Sequence, residues 1–256
     1  NNIVYLCESA QKRNLYFIGS IGSCTGSLGI LCASIVADFC YTVFTTQELA
    51  LFGWRLAFSI SIIIGIFAFL MRINIKETPV FIEVTQKKPA RNPIQNSFQN
   101  QPADYILSLG LTFLPATAFY FIFMFLPNSL ANVINSDSSK ILGANAISLF
   151  LRLLVIPAIG FIADKIGGIK IARLSSILFL TLSFPIFYMI LYCPTLSTFS
   201  LCLFAVLTTF NAASTPGLLV ELLKPETRCT VFSFSFNICF GIFGGITPVI
   251  GFLLMN

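Results

Sequence analysis

The chain has 256 residues, of which 56% are hydrophobic and 10% charged, with no histidine and a mean hydropathy of +0.89. A soluble domain carries about 25% charged residues, so this inventory excludes soluble enzymes, disordered tails and nucleic-acid binders. The net charge of +5 is informative through where it falls along the chain rather than as a sign of an acidic partner.

Charges leave four long gaps: 24 residues from Asn14 to Ala37, 32 from Tyr105 to Ser136, 47 from Leu174 to Val220 and 28 from Cys229 to Asn256. A bilayer-spanning helix needs about 20 apolar residues. In chain order, spanning helices are predicted at 15–37, 51–71, 105–127, 141–163, 171–192, 197–220 and 229–254, with residues 1–9 as the end of another. Turn residues separate them, as at Pro127-Asn128, Ser136-Asp137-Ser138-Ser139 and Cys193-Pro194. The fold class is therefore all-α, a polytopic helical bundle in a lipid bilayer.

Lysine and arginine accumulate in cytoplasmic loops. One set of connections holds twelve of them, from Lys12 and Arg13 through to Lys224 and Arg228, whereas the alternate set holds only Arg55 and Lys140. This alternation puts the 8–14 loop inside. The polar stretch Arg72–Asp104, with Pro79, Pro89, Pro93 and Pro102, reads as a cytoplasmic linker with room for a short surface helix.

In the first full span Gly19, Gly22, Gly26 and Gly29 fall on one helix face, and the last span repeats the device with Gly241, Gly244 and Gly245. Such stripes let helices pack closely in lipid. The eight cysteines form no CxxC pair and no ligand cluster; they read as buried apolar side chains, with Cys40 and Cys193 the pair worth a redox test. No metal or cofactor is expected, and the absence of histidine removes the usual Ser–His and metal-based intramembrane hydrolases.

Arg152 lies midway along its span. An intramembrane charge costs about 2.5–3.5 kcal/mol on insertion scales and is a functional candidate for that reason. Its fork suits a substrate carboxylate; snorkelling, or an ion pair with an acid outside these residues, is the alternative. Thr117, Tyr120, Asn211, Thr215 and Asn237 are further substrate-binding candidates, joined by Ser214 and Thr247. Asn211 is favoured to face substrate and Asn237 to act as interhelical glue. Asp38 and Glu221 sit at helix ends, so no carboxylate lies mid-span.

The turn Ala163-Asp164-Lys165-Ile166-Gly167-Gly168-Ile169-Lys170 resembles the D-[RK]-x-G-[RK]-[RK] signature of the major facilitator superfamily, with Gly168 and Ile169 standing where that pattern is basic. Gly53-Trp54-Arg55-Leu56-Ala57-Phe58 and Lys76-Glu77-Thr78-Pro79-Val80-Phe81 resemble the G-W-R-x-x-F and E-T-P-x-F pair of its metabolite:proton symporter branch. Glu221-Leu222-Leu223-Lys224-Pro225-Glu226-Thr227-Arg228 is similar to the loop between helices ten and eleven. Phe236-Asn237-Ile238 with Phe243-Gly244-Gly245-Ile246-Thr247-Pro248 is similar to helix eleven, and Glu8-Ser9-Ala10 with Lys12 and Arg13 to the loop after helix four.

The resemblance implies that the seven spans are helices five to eleven of twelve. Residues 1–71 would then be the remainder of an N-terminal bundle, 72–104 the inter-bundle linker and 105–256 the C-terminal bundle, in a chain truncated at both ends. It implies a secondary transporter, a monomer in the inner membrane of a bacterium, moving a small organic solute such as proline, betaine or an organic acid. Coupling is to protons, with sodium as the other candidate ion, and the coupling acid lies outside these residues. Asp164, Lys165, Gly167, Lys170, Glu221 and Arg228 are the expected conformational latch, weakened by the lost bases. A seven-helix receptor conflicts with the lysine and arginine count and a channel with the absence of any filter-like repeat. The remaining alternative is an inactive relic of a transporter gene.

Overall fold

The computed structural model describes residues 2–73, 77–86, 93–127, 129, 138–193 and 196–255. Asn128, the Ser136-Asp137 turn, Pro194, and Lys76, Lys87, Lys88 and Arg91 of the linker lie outside them, as do the side chains of Asp38 and Lys140. Every regular element among the described residues is helical. Helix α1 is Asn2–Ser9; a 3-10 turn, Lys12–Asn14, leads into α2, Leu15–Val43. Thr46–Glu48, a π-helical Leu49–Gly53 and Trp54–Ile73 make one run, α3. Two short helices follow, α4 (Pro79–Gln86) and α5 (Pro93–Asn100). Helix α6 is Pro102–Tyr120, prolonged by a π-helical Phe121–Phe125. Then come α7 (Ser138–Ile166), α8 (Gly168–Tyr192) and α9 (Ser197–Leu222). The last run, α10, joins Arg228–Phe236, a π-helical Asn237–Gly244 and Gly245–Met255.

Seven of these runs, α2, α3 and α6 to α10, are long and apolar enough to cross a bilayer. They coincide with the seven expected spans, with longer ends. The start of α3 moves back to Thr46 because Thr45 and Glu48 form a capping box: the Thr45 amide and hydroxyl both donate to Glu48, at 3.0 and 2.8 Å. In the linker, Thr78 caps α4 by accepting the Phe81 amide at 3.2 Å, with Pro79 in the first turn where its missing N–H costs nothing.

Helix α9 is the axis of the bundle. Its spanning window is 83% buried, against 17% for α8 and 0% for α3. Ile, Leu and Phe make up most of the exposed large side chains of α3 and α8. Phe125, Leu149, Ile186, Ile190 and Leu201 form the main core where α6, α7, α8 and α9 meet. All eight cysteines are free.

Helix α2 packs across α7 and α9, and proline explains how. A proline inside a helix leaves the carbonyl four residues earlier without its donor, and in lipid a neighbour must supply one. Pro216 frees the Ala212 carbonyl, which accepts the Ser23 hydroxyl at 2.7 Å. Pro157 frees the Leu153 carbonyl, which accepts the Cys24 thiol at 3.6 Å. Adjacent residues of α2 thus satisfy two different helices. The backbones come close enough for this because Gly19 faces Gly217: a Cβ on Gly19 would lie 3.2 Å from the Gly217 nitrogen.

Candidate functional site

Mid-span, Arg152 is 7% exposed. Its Nε donates to Thr208 Oγ1 of α9 at 3.0 Å and its Nη1 to the Ser27 hydroxyl of α2. The guanidinium lies 5.2 Å over the Phe119 ring and 5.6 Å over the Phe123 ring, both on the α6 run. Four helices therefore converge on one cation. Its partners are two neutral hydroxyls and two ring faces, and among the described residues no carboxylate pairs with it. The geometry excludes snorkelling, because the side chain is held inside the bundle. Hydroxyls and π faces offset only part of the cost of a buried charge.

One turn further along α9 from Thr208, Asn211 is 5% exposed, and its buried Nδ2 finds no acceptor among the described residues. Thr208 and Asn211, three apart, sit on neighbouring positions of one helix face. The Arg152 cluster and an unsatisfied amide donor thus occupy the same stretch of the bundle axis.

At the basic end a second set of contacts joins α1 and α2 to α7, α9 and α10. The first amides of α2 lack a local cap, since Asn14 makes no capping bond. The Asp164 carboxylate at the end of α7 takes that role from another helix: the Tyr16 and Phe17 amides donate to its two oxygens at 2.8 and 2.9 Å. A negative charge there also complements the helix dipole. The chain can turn away from Asp164 because Gly167 adopts φ +94, a left-handed conformation that glycine takes without strain.

Tyr16 is the centrepiece of this end. Its ring is wedged between Gly168 and Gly217, where a Cβ on Gly168 would fall within the ring and one on Gly217 would lie 2.7 Å from it. Its hydroxyl donates to the Glu221 carboxylate. Beside it, Arg228 Nη1 pairs with Glu8 Oε1 at 2.9 Å, with the two side chains 11% and 10% exposed. Arg228 also donates through Nε and Nη2 to the Leu223 carbonyl at 3.2 and 3.0 Å, and the Thr78 hydroxyl donates to the other oxygen of Glu8 at 2.9 Å. The Glu8, Thr78 and Arg228 side chains therefore tie α1, the start of α4 and the start of α10 together.

Residues 2–248 match the Major Facilitator Superfamily. The chain belongs to this superfamily. It is 28% identical over 264 residues to a protein of Staphylococcus aureus strain MSSA476 assigned by name only as a proline/betaine transporter, covering 99% of this chain and 55% of that one. It is 31% identical over 163 residues to a protein of Escherichia coli K12 that is likewise a transporter by name only, covering 63% and 38%. It is 24% identical over 256 residues to the citrate-proton symporter of Klebsiella pneumoniae, covering 99% and 57%. The chain thus spans little more than half the length of the curated relatives it matches end to end. No solved structure shows significant similarity to it. With seven spanning helices and bacterial relatives, this superfamily member is a multi-pass protein of the bacterial inner membrane.

Within this major facilitator bundle the remaining candidates separate. Thr215 is buried in α9 among the small residues that meet α2. Thr117 is turned back on its own helix, donating to the Phe113 carbonyl at 2.9 Å, and lines an apolar groove rather than the Arg152 cluster. Asn237 is exposed and donates to the Ser233 carbonyl at 2.8 Å, so it satisfies its own helix at the entry to the π-turn rather than joining two helices. The Tyr120 ring packs on Gly244, where a Cβ would collide with it. Lys165 folds over the Phe161 ring at 4.3 Å and Lys170 is exposed; among the described residues neither meets an acid. The partners that Asp164 has in this structure are the Tyr16 and Phe17 amides.

The glycine stripes are only partly contacts. Gly19 and Gly22 meet neighbours, Gly22 through Ile3 of α1, whereas Gly26, Gly29, Gly241 and Gly245 face open space. α1 runs along the first turns of α2, where Ile3 meets Gly22. The close approaches that sequence spacing did not reveal are at Gly160, against Ser20, and at Gly168 and Gly217, against Tyr16. These are single glycines that form no stripe. The donors Ser23 and Cys24 answer a signal that the sequence carries, since each in-span proline frees a carbonyl in need of a partner.

Proposed function

We propose that this protein is part of a secondary active transporter that moves a small carboxylate-bearing solute by alternating access, with Arg152 as the carboxylate clamp and Asn211 as a second donor. The observation that carries this reading is a buried guanidinium, at the meeting point of four helices, with no counter-ion among the described residues. Proline, betaine and citrate, named in the relatives, all bear a carboxylate, the group that such a fork binds bidentately. Tyr120, Thr117, Thr215 and Asn237 are proposed to shape the helices of the bundle rather than to hold the carboxylate.

In the proposed cycle, Asp164, Gly167, Glu221 and Arg228 close the basic, cytoplasmic end, and Lys165 and Lys170 are solvated flanks of the same turn. The 1–71 and 105–256 regions act as parts of two bundles joined by the 72–104 linker, in a monomer. Proton coupling needs a group that changes charge within the membrane, and the sequence has no histidine and no mid-span carboxylate. The coupling acid is therefore proposed to lie outside these residues, and the 256 residues alone are not expected to concentrate solute.

The test is uptake of labelled proline, betaine and citrate by cells expressing the whole transporter that contains these residues, with Arg152→Ala and Arg152→Lys alongside. Loss of a carboxylate solute in Arg152→Ala, partly restored by Lys, supports the clamp. Full uptake of every transported solute by Arg152→Ala would falsify it.

A further inference from the structure

The Arg152 cluster draws its partners from both sides of one interface. Thr208 belongs to α9, which packs on α7 beside Arg152, whereas Ser27 belongs to α2. Ser27 is the last in a row of polar α2 residues that meet α7 and α9: Ser20 against Gly160, Ser23 on the Ala212 carbonyl, Cys24 on the Leu153 carbonyl, then Ser27 on Arg152. They fall at i, i+3, i+4 and i+7, which is one face of the helix. The two hydroxyls at the guanidinium are not equivalent. Thr208 donates its own proton to the Ala205 carbonyl at 2.6 Å, which fixes its oxygen on Nε. The Ser27 hydroxyl makes no second hydrogen bond among the described residues. Arg152, Ser27 and Thr208 are 7%, 1% and 3% exposed, which leaves too little of the fork open for a carboxylate to seat on two of its nitrogens. That cover comes from α2, α6, α7 and α9 themselves, and further chain packed around them could only add to it.

We propose that Ser27 is a plug in this site: its hydroxyl holds Nη1 while the basic end is closed, and a solute carboxylate displaces it and so frees α2 from α7 and α9. The inference rests on the reading of Arg152 as the carboxylate clamp. A carboxylate binds in the plane of the fork through its two oxygens, so it competes with the acceptors already on those N–H groups. Phe119 and Phe123 offer ring faces and no acceptor oxygen, which leaves Thr208 and Ser27. Thr208 takes the single Nε–H and lies on the same helix as Asn211. Ser27 takes Nη1, one of the two end nitrogens that a carboxylate straddles, and it comes from the other helix. A carboxylate brings a full charge and a second bond, so it outcompetes one neutral hydroxyl. With Ser27 displaced, α2 keeps the Ser23 and Cys24 bonds along this stretch. The carbonyls that accept them, left without helical donors by Pro216 and Pro157, can take water instead once the helices part. The higher affinity of the carboxylate for the parted arrangement is what lets a solute shift the equilibrium towards it.

The test measures solute binding and Cys24 reactivity in the purified whole transporter that contains these residues. Cys24 stands one turn from Ser27 on the same face of α2, and its thiol donates to the Leu153 carbonyl. Saturating proline, betaine or citrate, whichever the wild type binds, is expected to raise Cys24 alkylation by N-ethylmaleimide severalfold, read by peptide mass spectrometry. An unchanged or slower rate overturns the proposal, and this readout needs no variant. Ser27→Ala removes the competitor and is expected to bind the same solute about tenfold tighter, the low end of what a hydrogen bond to a charged group is worth. Unchanged binding by Ser27→Ala overturns the proposal, and so does weaker binding, which would make Ser27 a solute ligand. Ser27→Thr keeps a hydroxyl and is expected to bind close to the wild type. A threonine variant as tight as the alanine one assigns the effect to loosened packing and also overturns it. Arg152→Ala separates this inference from the reading beneath it. If it weakens binding, the clamp stands and the Ser27 variants decide the plug alone. If it binds like the wild type, or if the wild type binds none of the three solutes, both fall.

Discussion

The Ser23 hydroxyl of α2 donates to the Ala212 carbonyl of α9 at 2.7 Å, and this is the carbonyl that Pro216 leaves without a helical donor. The two features are one device, and a double-mutant cycle exposes it. Ser23→Ala should destabilise the protein by about 1 kcal/mol, the scale of a buried polar group left unpaired. In a Pro216→Ala background the restored amide supplies the donor, and the Ser23→Ala cost should fall towards zero. Thermal unfolding in detergent reads both costs; strictly additive values would mean that the two residues act separately.

Gly168 and Tyr16 give a steric counterpart. Gly168→Ala places a methyl inside the space of the Tyr16 ring, and overpacking of this kind costs about 1–3 kcal/mol. The penalty should largely disappear in a Tyr16→Ala background, because the obstacle is then gone. If Gly168→Ala is equally harmful with and without the ring, backbone conformation at that turn is the cause instead.

The ion pair of Arg228 and Glu8 is nearly buried, so removing one partner should cost more than a surface pair would. Arg228→Ala strands the Glu8 carboxylate, and breaking a buried pair costs about 3–5 kcal/mol. Arg228→Lys should recover part of this through its single charge, but it loses the two bonds to the Leu223 carbonyl. A midpoint for Arg228→Ala within the error of the wild type would show that water reaches the pair.

Some of this architecture was readable beforehand. The spans follow from gaps between charges, because the bilayer tolerates few ionised groups. Arg152 stood out for the same reason, and Asp164 through its turn. The partners did not. Asp164 is satisfied by the Tyr16 and Phe17 amides, and an amide carries no residue identity for a pattern to detect. Gly26 and Gly29 share spacing with Gly19 and Gly22, but spacing fixes a face and not what lies opposite it. The Thr45 and Glu48 capping box was legible and would have set the start of α3 correctly.

That capping box also gives a pH dependence. Glu48 is fully exposed, and hydrogen bonds from the Thr45 amide and hydroxyl hold its carboxyl below the usual glutamate value. A depressed folded-state value means that the box supports α3 above the ordinary glutamate range and loses that support as pH falls through the lowered value. Hydrogen exchange at the first amides of α3 should therefore accelerate, relative to the rest of the helix, only below about pH 4.5. Glu48→Gln should flatten this acid response. A response that survives unchanged in Glu48→Gln belongs to another group.

Arg152 separates binding from structure most sharply. If its role were to hold α2, α7 and α9 together through Ser27 and Thr208, then Arg152→Met would loosen the bundle. If instead the cation is kept buried for an absent anion, its desolvation is a standing cost of several kcal/mol that two hydroxyls and two rings only partly offset. Arg152→Met fills similar space without charge, so its thermal midpoint should equal or exceed that of the wild type. Uptake of carboxylate solutes by the full transporter should nevertheless be lost. A lower midpoint, with transport reduced only in proportion, would make Arg152 a structural tie between helices.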